Sequence, residues 1–442
     1  MADPDVLQKI WRMERELGLL ERTVAGVQYW PLFRGDLYRP GGEAPAQGLR
    51  DRADLLIRAQ ARRLTSPAWG EARTIVVPFH RKLAEGRDPF TETLLSQPAL
   101  GPFLALELLI ARERLAPRPG LAVSFLEQGA LKSAIEAVAR HGELMGAMTK
   151  EHAELDAGWT QLTGAPFPLS ARRMALRLAR FKSWTAELRG RFAATGARRL
   201  ITTFHLPPAI AAAKAAGMEV VEVQHGAITP QDLQHHYPGR PRVAIFPDQL
   251  WTFGRYWSES IEAPANCRAA AVGSARIEAM RREGLSKTPR TALVSSHLPN
   301  DGRLFEAAVE LARTRADWTF TFRPHPEEDL AEYRRRLPPL ANLRLSPAEE
   351  DGLRLLASRE VHIGVRSTML FEGMALGART IVLGLPGAEM LAGAVQAGDA
   401  SLAASAAEAA AMLDSAPRAE DGERYFSPPA TGDELLSLLA RG

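Results

Sequence analysis

The chain has 442 residues, of which 46% are hydrophobic and 24% charged, with a formal net charge of +3. This length predicts two or three domains, the composition excludes a disordered chain, and so mild a charge gives no ground for a nucleic-acid partner. The single cysteine, Cys267, excludes an internal disulfide and a cysteine-based metal site, which suits a reducing cytoplasm.

The N-terminus opens Met-Ala-Asp-Pro-Asp-Val, with no basic region ahead of an apolar core, so no signal peptide is expected. A first helix is predicted from about Val6 to Leu20, with Ile10, Met13, Leu17 and Leu20 on one face. The aromatic stretch Gly26 to Arg34 and the breaks at Pro40-Gly-Gly and Ala44-Pro45 read as loop or linker. Short β-branched or apolar runs then predict buried strands at Thr74–Phe79, Leu121–Phe125, Leu200–Thr203, Met218–Val223 and Gln249–Phe253. Helical stretches separate several of them, from about Ala130 and again, alanine-rich, after Thr203 to about Ala216. No apolar run approaches the ~20 residues of a membrane span; Leu104 to Ile110 contains Glu107. After Gly254 the alternation restarts. Strands are predicted at Thr291–Ser295, Trp318–Phe322, Leu343–Ser346, Val361–Gly364 and Thr380–Leu383, and helices at Arg303–Arg313, Met369–Ala375 and Asp433–Leu439.

Strands alternating with helices imply parallel sheets covered on both faces. The expected fold is therefore α/β, with two doubly wound Rossmann-like domains facing a cleft. The boundaries fall at 1–70 for a helical extension and linker, 71–255 and 256–425 for the two domains, and 426–442 for a C-terminal helix. Ligands of such sheets bind beyond the carboxyl ends of the strands.

Two segments stand at such ends. In Phe322-Arg-Pro-His-Pro326, two prolines flank a histidine directly after a strand. Each proline fixes its own φ, and Pro326 also biases His325 away from helix. Arg323 and His325 can then donate to a phosphate; the plain alternative is a surface loop. In Gly364-Val-Arg-Ser-Thr-Met-Leu-Phe-Glu372, Ser367 and Thr368 lie between a strand and a helix. They serve either as an ordinary cap or, with the helix N–H groups, as an anion site. Glu372 falls one turn later, where a carboxylate can accept from ribose hydroxyls or complete the cap.

Together, His325-Pro326 followed by Ser367-Thr368, Glu372 and Gly377 resemble the bacterial surface-polysaccharide transferases, namely sialyl- and polysialyltransferases, Kdo transferases and CDP-glycerol-type transferases. The resemblance covers about residues 290–385 and is looser in the N-terminal half. It implies a GT-B fold, an N-terminal acceptor domain and a C-terminal domain that holds the donor nucleotide through Arg323, His325, Pro326, Ser367, Thr368 and Glu372. It also implies a CMP-linked acidic sugar as first donor, with CDP-polyol and UDP-sugar donors open, and a hydroxyl of a glycan, glycolipid or glycoprotein as acceptor. No resident cofactor is implied. Val223-Gln-His-Gly226 and Val272-Gly-Ser274 are similar to further segments of these enzymes, and Gly273 and Ser274 would let the backbone approach the donor phosphate; each is also readable as a simple strand-end turn.

Members of the sialyltransferase kind carry an acidic-acidic-Gly motif whose acid deprotonates the acceptor. Here Glu127-Gln128-Gly129 departs from it at the second position. Glu127 is the leading candidate base and Asp88 the second, although Asp88 also reads as a helix cap before Pro89. Glu349-Glu-Asp-Gly352 matches by letters, but Ser346-Pro-Ala-Glu349 reads as a capping box with its acids in a first helical turn. His235-His236 and Asp232 invite a metal reading, but adjacent residues rarely share one ion and no third spaced ligand is evident, so no metal is expected. The missing Asp-x-Asp motif agrees with that, on the resemblance. Finally, residues 169–192 predict a basic amphipathic helix. It either packs on the core with a solvated arginine face or provides peripheral contact with the inner membrane.

Overall fold

The structure is a computed structural model that describes residues 4–38, 57, 68–83, 86–109, 114–298, 302–347 and 349–440. The breaks at Pro40-Gly-Gly and Pro45 lie outside the described residues. The chain forms two compact units, one of residues 1–252, 261–270 and 430–442, the other of residues 253–260 and 271–429. The division differs from a single cut near 255: residues 261–270 and the C-terminal helix Gly432–Ala440 both belong to the first unit.

In the first unit, helix Pro4–Leu17 leads into a small antiparallel hairpin of β1 (Thr23–Val24) and β2 (Val27–Gln28). The main sheet comprises β3 (Thr74–Val77), β4 (Phe103–Glu107), β5 (Leu121–Phe125), β6 (Arg199–Thr202), β7 (Glu219–Val223), β8 (Gln249–Thr252) and β9 (Arg268–Ala271). Its order is β5-β4-β3-β6-β7-β8-β9, and the pairs from β5 to β8 are parallel. Every residue of β3 and β4 is buried, as expected for parallel strands covered on both faces. Ile75, Val77, Leu104, Leu106, Leu200 and Val220 pack under Leu188, Phe192 and Ile210 of the flanking helices.

Helix Ala130–Thr163 lies along helix Ala171–Thr195. The second of these is the basic helix. Its apolar side chains Met174, Leu178, Phe181, Leu188 and Phe192 are all buried, so the face a membrane would need is spent on the protein core. Of its basic residues, Arg177 pairs with Asp36 and Arg191 with Glu187. Among the described residues no helix is long and apolar enough to cross a membrane.

The second unit holds β10 (Thr288–Ser295), β11 (Thr319–Arg323), β12 (Leu343–Leu345), β13 (Arg359–Gly364), β14 (Arg379–Leu383) and β15 (Ser401–Ala403). All are parallel, in the order β12-β11-β10-β13-β14-β15. Val294, Phe320, Phe322, Ile363 and Ile381 form the core with Phe305 and Val309 of helix Arg303–Thr314.

Both sheets are doubly wound, as the alternation of strands and helices predicts. In each, the chain builds outward from a central strand and then returns to that strand's other side. The reversal falls between β3 and β6 in the first unit and between β10 and β13 in the second. A crevice beyond the carboxyl ends of those strands is where ligands of such sheets bind.

One local expectation is corrected. The helix after β12 runs Gly352–Ser358, and its cap is Asp351, which accepts from Leu353 N and Arg354 N. Ser346 is therefore not the cap. Its hydroxyl accepts from Arg323, and Glu350 is held by Arg344.

Candidate functional site

In the second unit, most of the sequence-predicted donor residues collect at the reversal. Arg323 is the last residue of β11 and stands in register with Ser295 at the end of β10. β13 lies on the other side of β10 and ends at Gly364, three residues before Ser367. With strands about 4.8 Å apart, the ends of β11 and β13 are about 10 Å apart across β10.

His325 is fixed by a tight turn. Its backbone N–H donates to Glu328 Oε2 at 2.5 Å, and its carbonyl accepts from Glu328 N at 2.9 Å. Glu328 is held in turn by the Tyr333 hydroxyl at 2.8 Å. The Nδ1 of His325 accepts from Glu327 N at 3.2 Å. A backbone N–H can only donate, so the neutral ring carries its proton on Nε2. The turn thus presents a defined donor, which neither proline alone would specify.

Arg323 is half-buried and donates to Ser346 Oγ at 2.7 Å. Burial lowers its pKa, opposed by Glu350 and Asp351. Ser367 caps helix Thr368–Ala375, its hydroxyl accepting from Met369 N at 3.2 Å. Pro326 is exposed and Thr368 opens the helix. Arg366, which sequence reasoning passed over, joins this edge: its guanidinium donates to the Leu298 carbonyl beyond β10. Glu372 is partly exposed, yet burial pushes its carboxyl above the usual range, opposed by Arg276 and assisted by Asp351.

Gly273 and Ser274 do other work. They follow β9, an edge strand of the first unit's sheet. A Cβ on Gly273, where φ is +76°, would lie 2.1 Å from the Pro428 carbonyl oxygen. The close approach that requires glycine is to the chain's own backbone. Ser274 caps helix Ala275–Glu283, accepting from Ile277 N at 3.4 Å.

In the first unit, Glu127 lies two residues after the end of β5. Its Oε1 accepts from Leu109 N at 3.0 Å, and its Oε2 is buried with no hydrogen-bond partner among the described residues. Burial raises the carboxyl from its ordinary value to about 7, against the pull of the Leu109 N–H and the Arg114 charge. A carboxylate poised near neutrality has the property a general base needs. Gln128 is buried beside it, donating to Ser124 Oγ at 2.7 Å and accepting from Arg191 at 3.3 Å. The departure from an acidic second position is thus a packing feature. At Gly129, φ is +91° and a Cβ would meet Glu187 Oε1 at 2.5 Å, so this position requires glycine.

Asp88 is fully buried and its carboxylate is consumed. It accepts from Phe79 N (2.7 Å), Phe90 N (3.0 Å), Thr91 N (2.7 Å) and Thr91 Oγ1 (2.9 Å). Burial raises its pKa, opposed by these donors and by Lys82. It joins the end of β3 to the turn at 89–91, and because the N-cap of the helix that follows, Glu92–Leu95, is Thr91, Asp88 holds a turn and does not cap a helix. Asp88→Ala is accordingly expected to cost about 3 kcal/mol or more in denaturant unfolding, because it strands several buried donors.

The first unit's reversal carries a group that sequence reasoning missed. Phe79-His80 follows β3, Phe204-His205 follows β6 and Gln224-His225 follows β7. Rings of Phe79, Phe204 and His225 lie 5.2–5.5 Å apart by centroid. The repeated Phe-His pair at two strand ends was the available signal. His205 Nδ1 lies 3.0 Å from Glu222 Oε2, and His235 Nε2 lies 2.7 Å from Glu222 Oε1. His235 Nδ1 lies 2.6 Å from Asp232 Oδ2. Two carboxylates outweigh the burial that disfavours the charged ring and lift His235 to about 10. His236 stands apart, its Nδ1 accepting from Glu262 N at 3.0 Å.

No family model and no curated protein matches the chain. Solved structures do. A glycosyltransferase of kitacinnamycin is similar at 14% identity, over 84% of this chain and 99% of that one, with a TM-score of 0.49. The UDP-GlcNAc 2-epimerase from Neisseria meningitidis, bound to UDP-GlcNAc, is similar at 13% identity, over 84% and 100%, with a TM-score of 0.46. The wall teichoic acid polymerase TagF, as its H548A variant, is similar at 12% identity, over 89% and 97%, with a TM-score of 0.43. These are likenesses of fold.

Proposed function

We propose that this protein is a nucleotide-sugar-dependent glycosyltransferase of the GT-B class. The second unit binds the donor nucleotide, and Glu127 of the first unit takes the proton from an acceptor hydroxyl. The observation that carries this reading is the collection of Arg323, His325, Arg366 and the Ser367-capped helix at the reversal of the second sheet. Fixed cations and N–H donors at a strand edge neutralise the charge that develops on a departing phosphate. They do this for the donor phosphate without a bridging divalent ion. The carboxyl of Glu127, raised to about 7, supports the complementary role of base.

The order of His325-Pro326 and Ser367-Thr368 supports a CMP-linked sialic-acid-like or Kdo-like donor over the CDP-polyol and UDP-sugar alternatives. The acceptor is a hydroxyl of a glycan, glycolipid or glycoprotein, in cytoplasmic synthesis of bacterial surface glycans.

The test is a thermal-shift series with CMP, CDP, UDP and GDP, followed by donor turnover with and without acceptor. A ligand at ~100 times its dissociation constant adds about 2.7 kcal/mol to stability. A shift selective for cytidine nucleotides is expected. A shift confined to uridine or guanosine nucleotides overturns the donor assignment and keeps the transferase. Turnover that ignores acceptors points instead to an epimerase or hydrolase, and no shift with any nucleotide overturns the reading altogether.

A further inference from the structure

We infer that His205, Glu222 and His235 form a binding site for a divalent transition-metal ion in the first unit, with Asp232 positioning His235. This is independent of the donor reading, since none of these residues belongs to the second unit.

Three observations converge. The first is geometric. The ligand atoms of His205, Glu222 and His235 all lie within 4.8 Å of one another. The two imidazole nitrogens face different oxygens of one carboxylate, at 3.0 and 2.7 Å. Zinc takes nitrogen at about 2.0–2.1 Å and carboxylate oxygen at about 2.0–2.2 Å, so side-chain shifts of about an ångström seat an ion in contact with all three groups. Two imidazoles and one carboxylate are a common set for zinc and other first-row ions, with positions left for water or an incoming oxygen.

The second is the surrounding shell. A metal-bound imidazole usually donates its other N–H to a carboxylate, which fixes tautomer and ring orientation. His235 has that partner in Asp232 at 2.6 Å, and Asp232 is itself held by Gln234 N at 2.9 Å. Phe246 covers both ligand rings, with centroids 5.4 Å from His205 and 6.1 Å from His235. Glu222 and His235 are buried, and His205 is partly exposed as a residue. A divalent ion balances the charges of Glu222 and Asp232 with both imidazoles neutral.

The third is what the ion would hold. Between β7 and β8 the chain runs from Gln224 to Asp248 without helix or strand, yet Leu233, His235, Tyr237, Val243 and Phe246 are buried. A long buried connection without secondary structure is uncommon and needs anchoring. An ion at this place ties His235 on the connection to β7 through Glu222 and to the end of β6 through His205, closing the loop where closure restricts the unfolded chain. The three ligands come from three separate segments, so no sequence spacing announces them.

The experiment uses the full chain, with any polyhistidine tag removed, stripped with chelator and retitrated with Zn²⁺ or Co²⁺. Metal analysis after gel filtration, the visible Co²⁺ spectrum and the melting temperature are read together. The wild type should retain about one equivalent, give the intense visible bands of a low-coordinate Co²⁺ site and melt higher with metal than without. His205→Ala should lose the retained equivalent and the bands, while His236→Ala, beside the cluster but outside it, should keep both. Should His205→Ala fail to fold, the wild-type titration decides alone. A stripped wild type that takes up no Zn²⁺ or Co²⁺ overturns the proposal, leaving His235 as an imidazolium held by two carboxylates. Retention by folded His205→Ala overturns it equally. Neither readout requires donor or acceptor, so failure here leaves the transferase reading standing, and failure of that reading leaves this one.

Discussion

Glu127→Gln is expected to reduce sugar transfer by about 10²–10⁴-fold while leaving donor affinity unchanged. The amide keeps the shape of the side chain and can still accept from Leu109 N through its oxygen, so the fold has no reason to change. What it loses is the ability to take a proton. With the carboxyl at about 7, kcat/KM of the wild type should rise about tenfold per pH unit below 7 and level off above it. In the variant the residual rate should lose that limb.

The same carboxyl makes an opposite prediction for stability. A folded-state pKa raised above the unfolded value favours folding only while the group is protonated in both states. That contribution is full below about pH 4.5 and is lost as pH rises through about 7. A shift of this size corresponds to about 3 kcal/mol, taken as an upper figure for a single group. Glu127→Gln should therefore unfold at higher denaturant than the wild type at pH 8, and at the same denaturant near pH 4. Slower turnover with greater stability is the signature of a strained functional carboxylate. Equal loss of both would make Glu127 a structural residue, and undiminished turnover would move the base elsewhere.

How far the sequence discloses this arrangement varies with the signal. β3, β7, β11 and β14 are apparent because valine, isoleucine, threonine and phenylalanine dominate them, and β5, β6, β8, β10 and β13 because each contains a short apolar run. β4 is Phe-Leu-Ala-Leu-Glu and β9 is Arg-Ala-Ala-Ala, sequences whose local preference is helical, and tertiary burial or edge pairing overrides it. The turn that presents His325 follows from two prolines and a preceding strand, both local. The cap at Asp351 was missed because Ser346 offers a rival pattern, and its hydroxyl is taken by Arg323 from a different strand. Local patterns fail wherever a partner arrives from a distant segment. That is also why the strand order, which sets both reversals, and the His205–Glu222–His235 cluster are absent from the linear reading. Arg366 lay inside a motif already singled out, and only the Leu298 carbonyl shows where it is directed.

His325→Ala is expected to weaken binding of the donor nucleotide several-fold and to lower kcat/KM by about 10²-fold. The two effects differ because a fixed donor stabilises the departing phosphate more than the bound ground state, and loss of one such donor costs about 10²–10³ in turnover elsewhere. The turn should survive the change. Pro324 and Pro326 fix their own φ, and Glu328 still accepts from the residue 325 backbone N–H and bonds to Tyr333. The change removes the Nδ1 contact to Glu327 N, at a partly exposed position. The control is His325→Gln, whose side-chain amide can still donate and should recover part of the loss. Calorimetric titration with the nucleotide selected by the thermal-shift series separates affinity from turnover. An unchanged affinity in His325→Ala, together with wild-type turnover, would remove the β11 edge from the donor site. Weakened affinity with unchanged turnover at saturating donor would make His325 a ground-state contact, leaving the guanidiniums of Arg323 and Arg366 to neutralise the leaving phosphate.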